Sequence, residues 1–182
     1  MVICTYIDIL ENIHIFKQIS IYVNMYNRKK AIDYAYAWWN KRNPMFYNFD
    51  KFGGDCTNFI SQCLYFGEIQ MNTYSTNGWF YHNSYSRSPS WTGVEEFYNF
   101  ATNNKSNFGP KAKVVTISEI EIGDIVQMKQ TGNRYHHNLL ITKITKKNSL
   151  SNIFVTCHTN DAKDKKLSDY YFNEIRFLKI LN

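Results

Sequence analysis

The chain has 182 residues, of which 44% are hydrophobic, 17% aromatic and 20% charged. That is enough for one globular domain with its own core, short for two, and too apolar for a disordered chain. The net charge of +6 favours anionic partners in general. The lysines are scattered, however, and no zinc-knuckle or RNA-binding signature accompanies them, so no nucleic-acid partner is expected.

Residues 1–25 carry Ile3, Ile7, Leu10, Ile13, Phe16 and Ile19 at three- and four-residue steps. This pattern predicts an N-terminal helical extension, distinct from a domain over 26–182. Asp8, Glu11, His14 and Lys17 interrupt it. No transmembrane span is therefore expected, and the stretch lacks the basic start and cleavage site of a signal peptide. A second helix is predicted over 27–42, with Asn27 as N-cap, a stripe of Ala31, Tyr34, Ala35 and Trp38, and Pro44 as terminator. A loop over 45–54 ends in Gly53-Gly54. Asp55 then opens a third helix with Phe59, Ile60, Cys63 and Leu64 inward and Gly67 as its stop.

Residues 68–113 read as irregular, apart from a helix over about 94–102. The last third reads as strands: 113–116, 125–128 after a Gly123-Asp124 turn, a hairpin of 139–145 with 153–157, and 175–181. Helices first and strands last predict an α+β fold with an antiparallel sheet.

The cysteines are Cys4, Cys56, Cys63 and Cys157, with no C-x-x-C pair. Zinc and thioredoxin-like readings are therefore weak, and neither metal nor cofactor is expected. On one helix Cys56 and Cys63 would lie about 10 Å apart along the axis, too far to bridge.

The strongest local signal is Gly53-Gly54-Asp55-Cys56-Thr57-Asn58-Phe59. The glycines permit a sharp turn, and Asp55 can cap the helix, which puts Cys56 in its first turn. The partial positive charge and free N–H groups of a helix start favour a thiolate and can receive an oxyanion. Asp55, beside the cysteine, is a further oxyanion or substrate candidate. A thiolate needs a base. His137 precedes the apolar run 139–142, and His158 follows the run 153–157. If the two runs pair as a hairpin turning near Lys147 and Asn148, positions 137 and 158 oppose each other on one face, as a base and its orienter require. A one-residue slip breaks that pairing. His136 would point the opposite way, to the rim. Asn160 is the alternative third member, with Asp161 close by. Trp79, Tyr81 and Trp91 read either as cleft aromatics that stack on substrate or as core aromatics.

These residues form an ordered set. The run Gly53-Gly54-Asp55-Cys56-Thr57-Asn58-Phe59-Ile60-Ser61-Gln62 has Arg42-Asn43-Pro44 before it. After it come Gly78-Trp79, Ser90-Trp91-Thr92-Gly93-Val94, Gly123-Asp124-Ile125-Val126, His137-Asn138-Leu139-Leu140-Ile141-Thr142 and His158-Thr159-Asn160-Asp161. Together they resemble the bacterial putative amidase domain family, related to the NlpC and CHAP cell-wall peptidases, over residues 26–182. The resemblance implies a papain-like fold with the nucleophile helix packed on the sheet, and maps nucleophile, base and third member to Cys56, His137 and His158. It places Tyr47 near the oxyanion position. It implies thiol-dependent hydrolysis of peptidoglycan peptide or amide bonds in the cell wall or outside the cell, without a cofactor. The other readings are a non-hydrolytic wall-binding or regulatory module and an acyltransferase.

Overall fold

The computed structural model describes residues 25–181. The helix expected within 1–25 therefore lies outside the described residues, Met25 apart. Helix α1 spans Arg28–Trp38, and the Asn27 side chain accepts from the Lys30 amide at 3.1 Å, the expected cap. It ends well before Pro44, because the Trp38 carbonyl turns to accept from the Lys41 amide at 3.2 Å. Helix α2 spans Cys56–Phe66, with every residue from Cys56 to Leu64 buried. A Cβ on Gly67, at its end, would lie 2.7 Å from the Tyr26 ring and 3.1 Å from the Ala31 Cβ. Only glycine lets α1 and α2 approach this closely. One turn, α3 (Pro89–Thr92), precedes α4 (Val94–Asn103), and Gly93 separates them.

Six strands form one antiparallel sheet: β1 (Ala112–Val115), β2 (Ile125–Lys129), β3 (His137–Ile144), β4 (Ile153–Cys157), β5 (Ala162–Lys166) and β6 (Glu174–Ile180). Their order is β1-β6-β2-β3-β4-β5. The α+β expectation stands. Strand β5 was not foreseen, because Ala-Lys-Asp-Lys-Lys has no apolar alternation. It is an edge strand held by its ladder to β4, and lysines are what such an edge carries. The helices cover one face of the sheet, with Ile125, Leu140 and Leu178 in that core. Val126, Met128, Leu139, Ile141, Val155 and Cys157 pack on the other face, beneath Ile120, Leu167 and Tyr170.

Two buried features tie the layers. Gly123 has φ +91° and turns the chain into Asp124. The Asp124 Oδ1 accepts from Arg28 Nη1 at 2.7 Å and from the Ile180 amide at 3.0 Å, joining β2 to α1 and β6. The second feature decides between two readings. Trp79 and Trp91 are fully buried, with ring centroids 4.6 Å apart. Their indole N–H groups donate to Ser61 Oγ at 3.1 Å and Asn58 Oδ1 at 2.9 Å, both on α2. They are core residues rather than cleft walls, since a buried indole needs an acceptor and α2 supplies one for each. Trp79→Ala and Trp91→Ala should each cost about 3–5 kcal/mol of stability, read as a fall in the urea midpoint.

Candidate active site

Gly53 and Gly54 have φ of +93° and +99°, backbone that side-chain-bearing residues avoid. A Cβ on Gly54 would also press on Thr159 Oγ1 at 3.1 Å. This turn delivers Asp55 to the N-cap position of α2, but its side chain makes no capping bond. The carboxylate turns inward and is fully buried. Its Oδ1 accepts from the Phe49 amide at 3.0 Å and from Asn58 Nδ2 at 2.9 Å. Its Oδ2 lies 2.6 Å from His158 Nδ1 and 3.5 Å from Arg42 Nε. With both oxygens committed to the interior, Asp55 does not present itself to an oxyanion or a substrate.

Cys56 is the first helical residue, as expected. Its thiol donates to the His136 carbonyl at 3.9 Å and lies 3.8 Å from Thr57 Oγ1. The main-chain amides of Asn138 and Thr57 lie close enough to the sulfur to favour its thiolate. The thiol therefore rests against the peptide groups on either side of His137. Asn138 Nδ2 donates to Thr57 Oγ1 at 2.9 Å, fastening β3 to the start of α2.

The electrostatics differ from the sequence expectation. Burial pushes the Cys56 thiol above its usual range and the Asp55 charge adds to this, against the amide and Thr57 hydrogen bonds. Desolvation outweighs the helix terminus. Burial, and then the neighbouring His136, lower His137 to about 4. At neutral pH the site holds a neutral thiol and a neutral imidazole. Among the described residues, no side-chain hydrogen bond engages the His137 ring.

The hairpin register also differs. Leu140 pairs with Thr156 and Ile141 with Val155, but Lys143 pairs with Phe154, so Thr142 is an extra residue. Carried two residues beyond Leu140 and Thr156, this register sets Asn138, not His137, opposite His158. His137 then faces the other side of the sheet from His158. Both His158 nitrogens are occupied: Nδ1 by Asp55, and Nε2 by the Trp38 carbonyl at 2.8 Å. Neither is left to orient His137. Thr159 and Asn160 have φ of +61° and +68° and form the tight turn into β5. Asn160 is exposed there. Asp161 accepts from both Nη atoms of Arg42, at 3.0 and 2.8 Å.

A cavity of about 270 Å³ opens at Cys56. Glu95, Glu96, Arg134 and His136 line it, with Gly53 and Gly54 at its base. Glu96 pairs with Arg134 at 3.2 Å and Glu95 with Arg176 at 2.7 Å, so its acidic groups are balanced. His136 is exposed at this rim, as expected. Tyr47 stands outside the wall, its ring against Phe49 and Phe52. The sequence reading gave no individual role to Arg42, Asn138, Thr159 or Glu95. Each acts through a partner at least 80 positions away (Arg42 through Asp161, Glu95 through Arg176), a distance no local pattern reports.

A cysteine thus opens a helix that packs on an antiparallel sheet, next to the start of the strand that His137 opens. The chain belongs to the family described as Putative amidase domain, which it matches over residues 25–180, and that description points to amide hydrolysis. It is similar to a Bacillus subtilis (strain 168) protein described as "Uncharacterized protein YhbB", with 34% identity over 126 residues, 68% of this chain and 39% of that protein. The chain spans about two fifths of the length of this curated relative. No solved structure gives a significant match. Among the described residues no helix is long and apolar enough to cross a membrane. No group of three His, Cys, Asp or Glu among them could hold a metal ion.

Cys56, Cys63 and Cys157 are free thiols. Burial holds Cys63 well above the usual thiol range and pushes Cys157 up to about 12. Of the three, only Cys56 borders the cavity, so it should be alkylated first by iodoacetamide. Its rate should still climb through alkaline pH rather than level off at pH 7. Mass-spectrometric mapping across pH reads both. A second expectation concerns His137. Lowered from 6.5 to about 4, it is neutral when folded while the unfolded chain takes up a proton. Its contribution is full above pH 6.5 and is lost as pH falls toward 4. Thermal melts of His137→Asn should show a shallower loss over this window than the parent protein.

Proposed function

We propose that the protein is a cysteine-dependent amide hydrolase of papain-like architecture that cuts peptide or amide bonds of bacterial cell-wall peptidoglycan. The observation that carries this reading is the Cys56 thiol at a helix start, seated on the peptide groups flanking His137 and open to a cavity. The family's description and the ordered motifs support the reaction class. The charge of +6 suits an anionic polymer.

In the proposed reaction the Cys56 sulfur attacks the amide carbonyl carbon, and His137 takes the thiol proton. Held at about 4, the His137 ring is the free base at neutral pH. The carbonyl oxygen gains the negative charge and is received by N–H groups at the start of α2. His137 returns the proton to the departing amine, leaving a thioester on Cys56. Water, deprotonated by His137, then hydrolyses the thioester and restores the thiol. Cys56 and His137 form the proposed reacting pair, because the His158 ring is engaged elsewhere. The register turns the His137 ring to the face away from α2, so the transfer requires that ring to rotate at the strand start toward the sulfur.

Cys56→Ala and His137→Ala should each lower amine release from purified peptidoglycan by about three orders of magnitude or more. His136→Ala should stay within about threefold of the parent. Full activity in Cys56→Ala would end the thiol mechanism, and loss in His136→Ala with retention in His137→Ala would move the base to the rim. Hydrolysis of simple peptide amides without release from peptidoglycan would refute the substrate assignment alone.

A further inference from the structure

We infer that His158 is a positioning residue held as an imidazolium, which neutralises the Asp55 carboxylate beneath Cys56 and acts on the thiol through Asp55 rather than through His137. This rests on the reading of Cys56 as nucleophile. The argument is hydrogen-bond arithmetic. A peptide carbonyl only accepts, so His158 Nε2, 2.8 Å from the Trp38 oxygen, carries a proton. The other nitrogen, Nδ1, lies 2.6 Å from Asp55 Oδ2. Donors from Phe49 and Asn58 also surround that carboxylate, and the Arg42 guanidinium lies 3.5 Å from it, an environment for its ionised form. Facing an ionised acceptor, Nδ1 carries a proton as well. The ring then bears a positive charge, and the buried pair has none in sum. The Phe59 ring stacks on the imidazole with centroids 3.9 Å apart, a face that attracts a cation.

The turn carrying His158 is built to hold this place. Thr159, a β-branched residue, sits at φ +61°, which such residues avoid. Its Oγ1 accepts from the Asp55 amide at 2.8 Å. Arg42 spans from Asp161 to Asp50, with its Nε toward Asp55. The other titratable groups facing the pair are Tyr34 and Cys56 itself, both of which feel the Asp55 charge. Cys157, next in sequence to His158, turns its thiol to the Tyr170 hydroxyl on the far face. Without the imidazolium, the carboxylate facing the Cys56 thiol is countered only by Arg42, whose charge is shared with Asp50 and Asp161, and thiolate formation becomes harder.

Nitrogen-15 NMR of the full chain at pH 7 should show both His158 ring nitrogens protonated. A neutral tautomer would overturn the inference, and this readout survives if His158 variants fold poorly. The second arm is the pH profile of iodoacetamide labelling at Cys56. His158→Gln should move its midpoint up by about one pH unit, about tenfold slower labelling at pH 7. The double variant Asp55→Asn/His158→Gln should return the midpoint close to that of the parent, because the carboxylate charge is gone. An unchanged profile in His158→Gln, or no recovery in the double variant, would overturn the inference. A failure of the nucleophile reading looks different: Cys56→Ala would keep its hydrolysis while the His158 ring signals stay as in the parent.

Discussion

The structure hinges on one buried charge, the Asp55 carboxylate. An ionised carboxylate removed from water costs several kcal/mol unless it is fully partnered. Its partners come from four separate segments: Phe49 in the loop before α2, Asn58 inside α2, Arg42 after α1, and His158 in the β4–β5 turn. Because each must arrive for the charge to be tolerated, the carboxylate fixes the distance between helix layer and sheet at the point where Cys56 emerges. The Asp55 amide is bound by Thr159 as well, so main chain and side chain are both held from the sheet side.

Asn58 extends that constraint into the aromatic core. Its Nδ2 reaches Asp55 Oδ1 and the Tyr47 carbonyl, and its Oδ1 accepts from the Trp91 indole. Ser61, one turn further along α2, takes the Trp79 indole and donates to the Trp91 carbonyl. The irregular segment between α2 and α4 thus gains order from polar atoms of the cysteine-bearing helix. Asp124 plays a comparable part at the other end of α1, binding Arg28 and the last strand. Two buried carboxylates, one at each end of α1, lock the helices to the sheet.

Burial also sets the chemistry available at the site. The enclosure that positions the Cys56 thiol raises its hold on the proton, and the same enclosure lowers that of His137. Proton transfer from sulfur to imidazole is therefore uphill in the resting protein. In the proposed mechanism it proceeds with attack on the carbonyl, where the developing oxyanion meets the helix N–H groups.

By itself the sequence determined the α+β class, three of the four helices after residue 26, five of the six strands and the Gly-Gly-Asp-Cys turn. Each rests on local physics: apolar spacing, caps, and glycines where φ is positive. It also placed Cys56 at a helix start and His137 at a strand start. Tertiary structure decided the rest. Strand β5 exists only through its pairing with β4, since five residues with three lysines carry no strand pattern. The extra residue at Thr142 sets the β3–β4 register, and a bulge of one residue moves His158 across the sheet from His137. Trp79 and Trp91 went to the core because α2 offered acceptors for their indoles. The balance at Cys56 turned on burial, a property of the whole packed chain that a helix terminus, legible in seven residues, does not reveal.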